Sequence, residues 1–156
     1  MGGSSSRYGD DTATGRTPVQ KAAMAVGVVF LLVGVLGFIP GITSNYDTFG
    51  FAGHDSQAKL LGLFQVSILH NVVHLLYGVV GIAAARTARA SKSYFIVGGI
   101  VYLVLWIYGL VIDLMSNANF VPFNNADNWL HLGLGVGMIA LGLIVPGYRR
   151  RVSPAV

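Results

Sequence analysis

The sequence predicts an all-α fold: a four-helix transmembrane bundle in which two helical hairpins form a parallel internal repeat. Three observations lead to this prediction. The 156-residue chain is 54% hydrophobic and only 10% charged, whereas an ordinary soluble domain carries about 25% charged residues. Four long apolar segments follow one another along the chain, and parts of the second and the fourth are closely similar.

The composition excludes several other classes of protein. The chain has no cysteine and no glutamate, which removes thiolate metal sites, thiol nucleophiles, disulfide scaffolds and the HExxH pattern of zinc hydrolases. Neither a nucleophile elbow nor a glycine-rich phosphate loop is present. We therefore expect a protein that is not an enzyme.

Each apolar segment is long enough, or nearly so, to cross a bilayer as a helix. A hydrocarbon core of about 30 Å needs about 20 residues of helix, and helices satisfy their own backbone groups in lipid. The fourth segment is short unless Asp127 and Asn128 belong to its first turn. The stretch 56–66 is expected to be an interfacial lead-in to the second span, with Leu60, Leu61 and Leu63 on its apolar side together with Phe64. The four segments are 22–39, about 60–85, 94–115 and 129–145.

The basic residues predict the orientation of the chain. Nine of the ten lie on one side of the predicted spans and only Lys59 lies on the other. Because basic residues stay in the cytoplasm, both termini are predicted to be cytoplasmic. We divide the chain into a disordered tail (1–18), a transmembrane domain (19–147) and a basic tail (148–156). The nine residues are Arg7, Arg16, Lys21, Arg86, Arg89, Lys92, Arg149, Arg150 and Arg151.

An internal repeat relates the second span to the fourth. Residues 70–83 read HNVVHLLYGVVGIA and residues 127–140 read DNWLHLGLGVGMIA, with seven identities in fourteen positions at an offset of 57. Membrane helices share Leu, Val and Gly by chance, but they rarely share Asn and His at one spacing. The repeat predicts that His74 and His131 lie at equal depth, about one turn inside the outer surface.

Polar side chains cluster in the outer half of the predicted bundle. Ionisable groups inside a membrane are rare and point to function by default. Asp113 ends a stripe at helical spacing formed by Tyr102, Trp106 and Gly109, so we expect it to face the bundle and to hydrogen-bond a His or Asn of the cluster. The predicted cluster consists of His70, Asn71, His74, Asp113, Asp127, Asn128 and His131.

Three interpretations of this cluster remain open. It can be structural, a set of Asn and His side chains that bond to one another across the bundle and fix the register of the helices, since helix association in lipid relies on packing and hydrogen bonds. It can hold a haem or a divalent metal through His70, His74 and His131. It can also serve a proton or small-solute path.

The glycines bear on the choice between these interpretations. Gly78 and Gly135 would leave room for a flat ring or for close helix contact. Close contact is what the GxxxG pairs Gly133/Gly137 and Gly37/Gly41 also suggest.

The segments ILHNVVHLLYG and ADNWLHLGLGVGM resemble the DUF4383 family of small bacterial, largely actinobacterial, integral membrane proteins. The resemblance extends over roughly residues 19–146. It implies four spans, a location in the bacterial inner (plasma) membrane and no assigned activity, and it transfers no functional residues. The partners we expect are the lipid bilayer and either another membrane protein or a second copy of the chain. Nucleic acid is not expected, because the net charge of +4 reflects membrane topology.

Overall fold

The structure, a computed structural model of the chain, describes residues 15–148. Helices dominate this part of the chain, so the prediction of an all-α bundle is confirmed. The predicted tails 1–18 and 148–156 fall almost entirely outside the described residues and stay predictions. The elements are α1 (Pro18–Leu36), β1 (Thr43–Ser44), a 3₁₀ turn (Tyr46–Thr48), β2 (Lys59–Leu60), β3 (Phe64–Gln65), α2 (Ile68–Ala84), α3 (Ala88–Val111) and α4 (Asn125–Ile144).

Polar caps decide where α2 and α4 begin. The Oγ of Ser67 accepts a hydrogen bond from the backbone N–H of His70 at 3.1 Å, and the Oδ1 of Asn124 accepts one from Asp127 at 3.1 Å. Such caps satisfy N–H groups that the helix leaves unpaired. Ser67 and Asn124 are separated by 57 residues, which is the spacing of the repeat. α4 therefore includes Asp127 and Asn128 in its first turn, as its length required. α2 begins at Ile68, directly after the stretch 56–66 that was expected to lead into it.

The helices have the length and composition of membrane spans. α1, α3 and α4 contain 19, 24 and 20 residues and are apolar enough to cross a bilayer. α2 is also apolar but has 17 residues, which is the lower limit of about 17 for a span. The chain is thus a protein whose helices suit a lipid environment.

Glycines bring the two helices of each hairpin together. A Cβ placed on Gly27 of α1 would lie 2.9 Å from the carbonyl oxygen of Gly78 in α2, and one on Gly99 of α3 would lie 2.7 Å from that of Gly135 in α4. Such close approach is possible only without a side chain. Gly27 and Gly99 are separated by 72 residues, so the repeat extends from α2 and α4 to α1 and α3.

The two hairpins meet around a pseudo-twofold axis. Phe30 and Tyr102, which are also separated by 72 residues, stack with their ring centroids 5.8 Å apart. The ring of His74 lies 5.6 Å from Phe30 and that of His131 lies 5.4 Å from Tyr102, at nearly the same interplanar angles of 43° and 46°. The axis therefore passes between Phe30 and Tyr102, and the two histidines occupy equivalent positions.

Three parts of the chain meet at one end of the bundle. The backbone N–H of Val19 donates to Pro146 O at 3.2 Å, and the Nε2 of Gln20 donates to Ala85 O at 3.1 Å. The start of α1, the turn between α2 and α3 and the end of α4 therefore lie side by side. The basic residues that the structure describes at this end are Arg16, Lys21, Arg86, Arg89 and Lys92.

A small antiparallel sheet covers the other end, which we call the outer end. Its strands pair in the order β1–β2–β3. The leucines predicted for one apolar side of the stretch 56–66 do not share a side, because the chain reverses at Leu61 and Gly62, whose φ angles are +54° and +70°. Leu60 is consequently buried with Ala58 and Val66, and Leu61 stays exposed.

The predicted GxxxG contacts are only partly found. The side-chain amide of Asn71 fills the space beside Gly37. Gly41 follows α1 in a turn with a φ of +91°, and a Cβ there, or on Gly133 or Gly137, would meet no atom of the described residues within 4 Å. The prediction of close helix contact at Gly133, Gly137 and Gly41 is therefore wrong within a single chain.

Candidate functional site

One buried asparagine lies between the two helices of each hairpin at the outer end. The Nδ2 of Asn128 in α4 donates to the carbonyl oxygen of Gly109 in α3 at 3.1 Å. The side-chain amide of Asn71 in α2 occupies the equivalent place against Gly37 in α1, but its Nδ2 has no hydrogen-bond partner among residues 15–148. Both asparagines are buried, at 2% and 4% exposure for Asn71 and Asn128. Each amide thus occupies the space that a glycine of the neighbouring helix leaves free.

His70 and Asp127 connect one hairpin to the other. The Nδ1 of His70, in the first hairpin, lies 2.9 Å from Pro122 O in the loop of the second. The Oδ2 of Asp127, in the second hairpin, accepts from the backbone N–H of Gln65 in the loop of the first at 2.9 Å. His70 and Asp127 are equivalent positions in the repeat, so each hairpin reaches into the loop of the other. Asp127 also accepts from Asn124 N at 2.8 Å, which gives its buried carboxylate a second donor.

The hydrogen bonds of His70 define the donors and acceptors of both α2 histidines. A carbonyl oxygen only accepts, so the His70 Nδ1 beside Pro122 O carries a hydrogen. In a neutral ring the Nε2 of His70 then accepts, and its neighbour at 3.0 Å, the Nε2 of His74, donates. The Nδ1 of a neutral His74 is left as a lone-pair acceptor. It is buried and has no hydrogen-bond partner among residues 15–148.

Two small cavities flank the histidines and are related by the repeat. One, of about 110 Å³, lies toward α1 and α4, and the other, of about 120 Å³, lies toward α2 and α3. Val33 lines the first cavity, and its equivalent at the offset of 72, Leu105, lines the second. Likewise Val73 lines the second cavity, and its equivalent at the offset of 57, Leu130, lines the first. The outer sheet covers the first cavity and the loop before α4 covers the second. The side chains that line both are His70, His74 and His131.

Asp113 lies apart from this cluster, and the prediction that it faces the bundle is wrong. α3 ends at Val111, and Ile112 is extended with a ψ of 156°. Asp113 is therefore exposed and accepts a hydrogen bond from the backbone N–H of Met115 at 2.9 Å. The other six predicted residues are brought together. They are His70, Asn71, His74, Asp127, Asn128 and His131.

The arrangement offers few free ligands for a metal or a haem. Across residues 15–148, no group of three or more His or Asp side chains is placed to hold a metal ion. His70 uses both ring nitrogens in hydrogen bonds, so a site of three histidines would require it to give these bonds up. The free nitrogens are Nδ1 of His74 and of His131. The space beside Gly78 and Gly135 is filled by the neighbouring helices, not open to a flat ring.

Several residues of the cluster were not predicted from the sequence. Gln65 and Pro122 contribute backbone groups, which no side-chain pattern reveals. Asn119 is buried and holds the loop before α4, since its Nδ2 donates to Phe123 O at 3.0 Å. Asn124 could have been found, because a polar cap three residues before an acidic residue is a recognised start of a helix.

Apolar helices of spanning length, paired by glycines and joined by buried polar groups, define a multi-helix membrane protein of the bundle class. The chain belongs to the family whose model is described as a domain of unknown function, DUF4383, which matches residues 20–144. The resemblance of its two signature segments is thus confirmed. No curated protein and no solved structure matches the chain.

Proposed function

We propose that this protein is a non-enzymatic component of the bacterial inner membrane, an accessory or scaffold protein whose polar cluster holds two hairpins together. The observation behind this proposal is that each hairpin makes a hydrogen bond to the connecting segment of the other. His70 reaches Pro122 O and Asp127 reaches Gln65 N from equivalent positions. Helices in lipid gain no hydrophobic driving force from association, so packing and hydrogen bonds of this kind are what join them.

The carboxylate of Asp127 and the side-chain amides of Asn124 and Asn128 make bonds that suit this role. Asp127 accepts from two backbone N–H groups, Asn128 donates to Gly109 O, and Asn124 donates to Leu63 O at 2.9 Å. These bonds link the outer ends of the helices to the loops. That suits a protein that presents a surface to another membrane protein or to a second copy of itself.

A second candidate function is a haem- or metal-binding membrane redox protein, favoured by the unpartnered Nδ1 atoms of His74 and His131. An absorption spectrum with metal analysis of the detergent-purified protein separates the two. We expect no Soret band and no near-stoichiometric metal, because helices joined by packing and hydrogen bonds need neither a haem nor a metal ion. A Soret band, or one metal ion per chain that is lost in a His74→Ala, His131→Ala double variant, would support the second candidate and contradict the first.

The orientation of the protein is part of the proposal. Five basic residues lie with the start of α1 and the end of α4 at one end of the bundle, while Lys59 lies in β2 at the other, and basic ends face the cytoplasm. The chain has no cysteine, so single cysteines at Ser5, Ser44 and Ser153 report accessibility cleanly. We expect an impermeant thiol reagent to label intact cells at Ser44 only. Labelling at Ser5 or Ser153, both outside the described residues, would reverse the orientation.

A further inference from the structure

An apolar groove of about 300 Å³ runs along the seam between α2 and α3. It extends from the middle of the two helices toward the end of the bundle that carries the basic residues, which we call the inner end. Its floor includes the half-buried ring of Tyr77 and the buried ring of Tyr94. Exposed side chains of spanning helices face lipid tails, which are as apolar as leucine, so the groove is open to the hydrocarbon layer. The exposed side chains of its walls are Val73, Leu76, Val80, Val97 and Val101.

The turn that joins α2 to α3 closes the same seam at the inner end. It carries Arg86, and Arg89 follows in the first turn of α3, both with exposed side chains. The backbone of this turn is held from two sides. Gln20 Nε2 of α1 donates to Arg86 O at 2.9 Å, and Ser91 Oγ of α3 donates to Ala84 O at 3.1 Å. Two arginines therefore extend from a fixed backbone at the inner end of the groove.

The positive charge of the inner end has no described carboxylate beside it. Within residues 15–148 every aspartate lies in an outer loop or in the first turn of α4, and the chain has no glutamate. Basic residues at a membrane surface attract anionic lipids, and basic pockets between spanning helices bind their head groups. Charge complementarity therefore selects an anionic head group for this end of the seam. The aspartates are Asp47, Asp55, Asp113 and Asp127.

The distance from the turn to the far end of the groove matches one leaflet. From Ala84, the last residue of α2, back to Val73 the helix rises about 16 Å at about 1.5 Å per residue. Half of a hydrocarbon core of about 30 Å is about 15 Å. A phospholipid of the leaflet at the inner end therefore has its phosphate at the level of Arg86 when one acyl chain follows the groove to the midplane.

We propose that the seam between α2 and α3 binds one anionic phospholipid of the leaflet at the inner end, with its phosphate at Arg86 and Arg89 and one acyl chain in the groove. The site goes beyond the proposed function and does not rest on it, because no residue of the polar cluster lines the groove. A zwitterionic phospholipid supplies the acyl chain without the net negative charge, so the head group decides between the two lipids.

The head group is tested with two phospholipids that have the same acyl chains. Dioleoyl phosphatidylglycerol or dioleoyl phosphatidylcholine is titrated onto the full-length protein in dodecyl maltoside, and native mass spectrometry gives the number of lipids bound per chain. We expect one phosphatidylglycerol per chain at the tightest site and about tenfold weaker binding of phosphatidylcholine. Equal affinities would overturn the proposal. A dimer that binds no lipid would overturn it as well, because a second copy of the chain would then cover the groove.

The position of the head group is tested with charge changes on two sides of α3. Arg86→Gln removes a charge from the turn, whereas Lys92→Gln removes one beside α4, where the Cε of Lys92 lies 3.4 Å from a Cβ placed on Gly147. We expect Arg86→Gln to weaken phosphatidylglycerol binding about fivefold, and Arg86→Lys and Lys92→Gln to leave it within about twofold. The basic tail 149–151 is unchanged in all three variants. Equal losses from Arg86→Gln and Lys92→Gln would contradict the assignment, since they would indicate attraction by the whole basic end.

The groove is tested with two neighbouring valines of α2. Val79 and Val80 are 56% and 55% exposed, but only Val80 lines the groove. We expect Val80→Trp to weaken phosphatidylglycerol binding about tenfold, because the indole fills the space of the acyl chain, and Val79→Trp to leave it within about twofold. Both variants are first shown to be monodisperse by gel filtration. Equal binding by the two variants would place the acyl chain outside the groove and overturn the proposal.

Discussion

Replacing Gly27 or Gly99 by leucine is expected to lower the free energy of unfolding by about 3 kcal/mol or more. A Cβ on Gly27 would lie 2.8 Å from the backbone nitrogen of Ile82, and one on Gly99 would lie 2.7 Å from Gly135 O. Backbone atoms cannot move aside like a flexible side chain, so α1 must separate from α2, or α3 from α4. Thermal unfolding in detergent, followed by the loss of the monodisperse peak in gel filtration, measures the effect.

Gly133→Leu is the matched control. Gly133 also lies in a spanning helix, but it is exposed and a Cβ there would meet no described atom within 4 Å. Leucine is a better helix former than glycine by nearly 1 kcal/mol, so this variant should be as stable as the parent chain or more so. Equal losses for Gly27→Leu and Gly133→Leu would show that the hairpins are not paired as described.

Only the half of the repeat that relates α2 to α4 could be predicted from the sequence, because matching polar residues mark it. Asn71 and His74 recur as Asn128 and His131, and two apolar helices rarely share such polar residues at the same spacing by chance. The equivalence of α1 and α3 depends instead on glycines and on the pair Phe30 and Tyr102, which are different residues. Glycine and leucine are common in all spans, so the structure was needed to find that half of the repeat.

The position of Asp113 shows where a periodic pattern stops being informative. The spacing of Tyr102, Trp106 and Gly109 places Asp113 on the inner face only if the helix continues to it. α3 ends at Val111, two residues before Asp113, so the extrapolation fails. The end of a helix in lipid carries little sequence signal when apolar residues continue beyond it, as Ile112 and Leu114 do here.

The loops that complete the cluster were not predictable for a different reason. Asp127 and His70 bind backbone atoms of Gln65 and Pro122, and every residue has such atoms. The position of Gln65 depends on the small sheet, whose two-residue strands are too short to show an alternating pattern. The residue types of the cluster could be predicted, but their partners could not.

Asp127→Ala is expected to cost about 2 kcal/mol of stability, because it leaves the N–H groups of Gln65 and Asn124 without their acceptor. Both bonds are made by the same carboxylate oxygen, Oδ2. Asp127→Asn keeps one such oxygen and should therefore recover most of the loss. Recovery by asparagine would attribute the effect to hydrogen bonding and not to charge.

The difference in thermal stability between Asp127→Ala and Asp113→Ala tests most directly whether the polar cluster joins the two hairpins. Each change removes one aspartate side chain near the outer end of the bundle, but only Asp127 is buried and bonded across the hairpins. We expect Asp113→Ala to stay within about 0.5 kcal/mol of the parent chain, so Asp127→Ala should be clearly the less stable of the two. Equal stabilities of the two variants, measured in the same detergent, would contradict the structural role of the cluster.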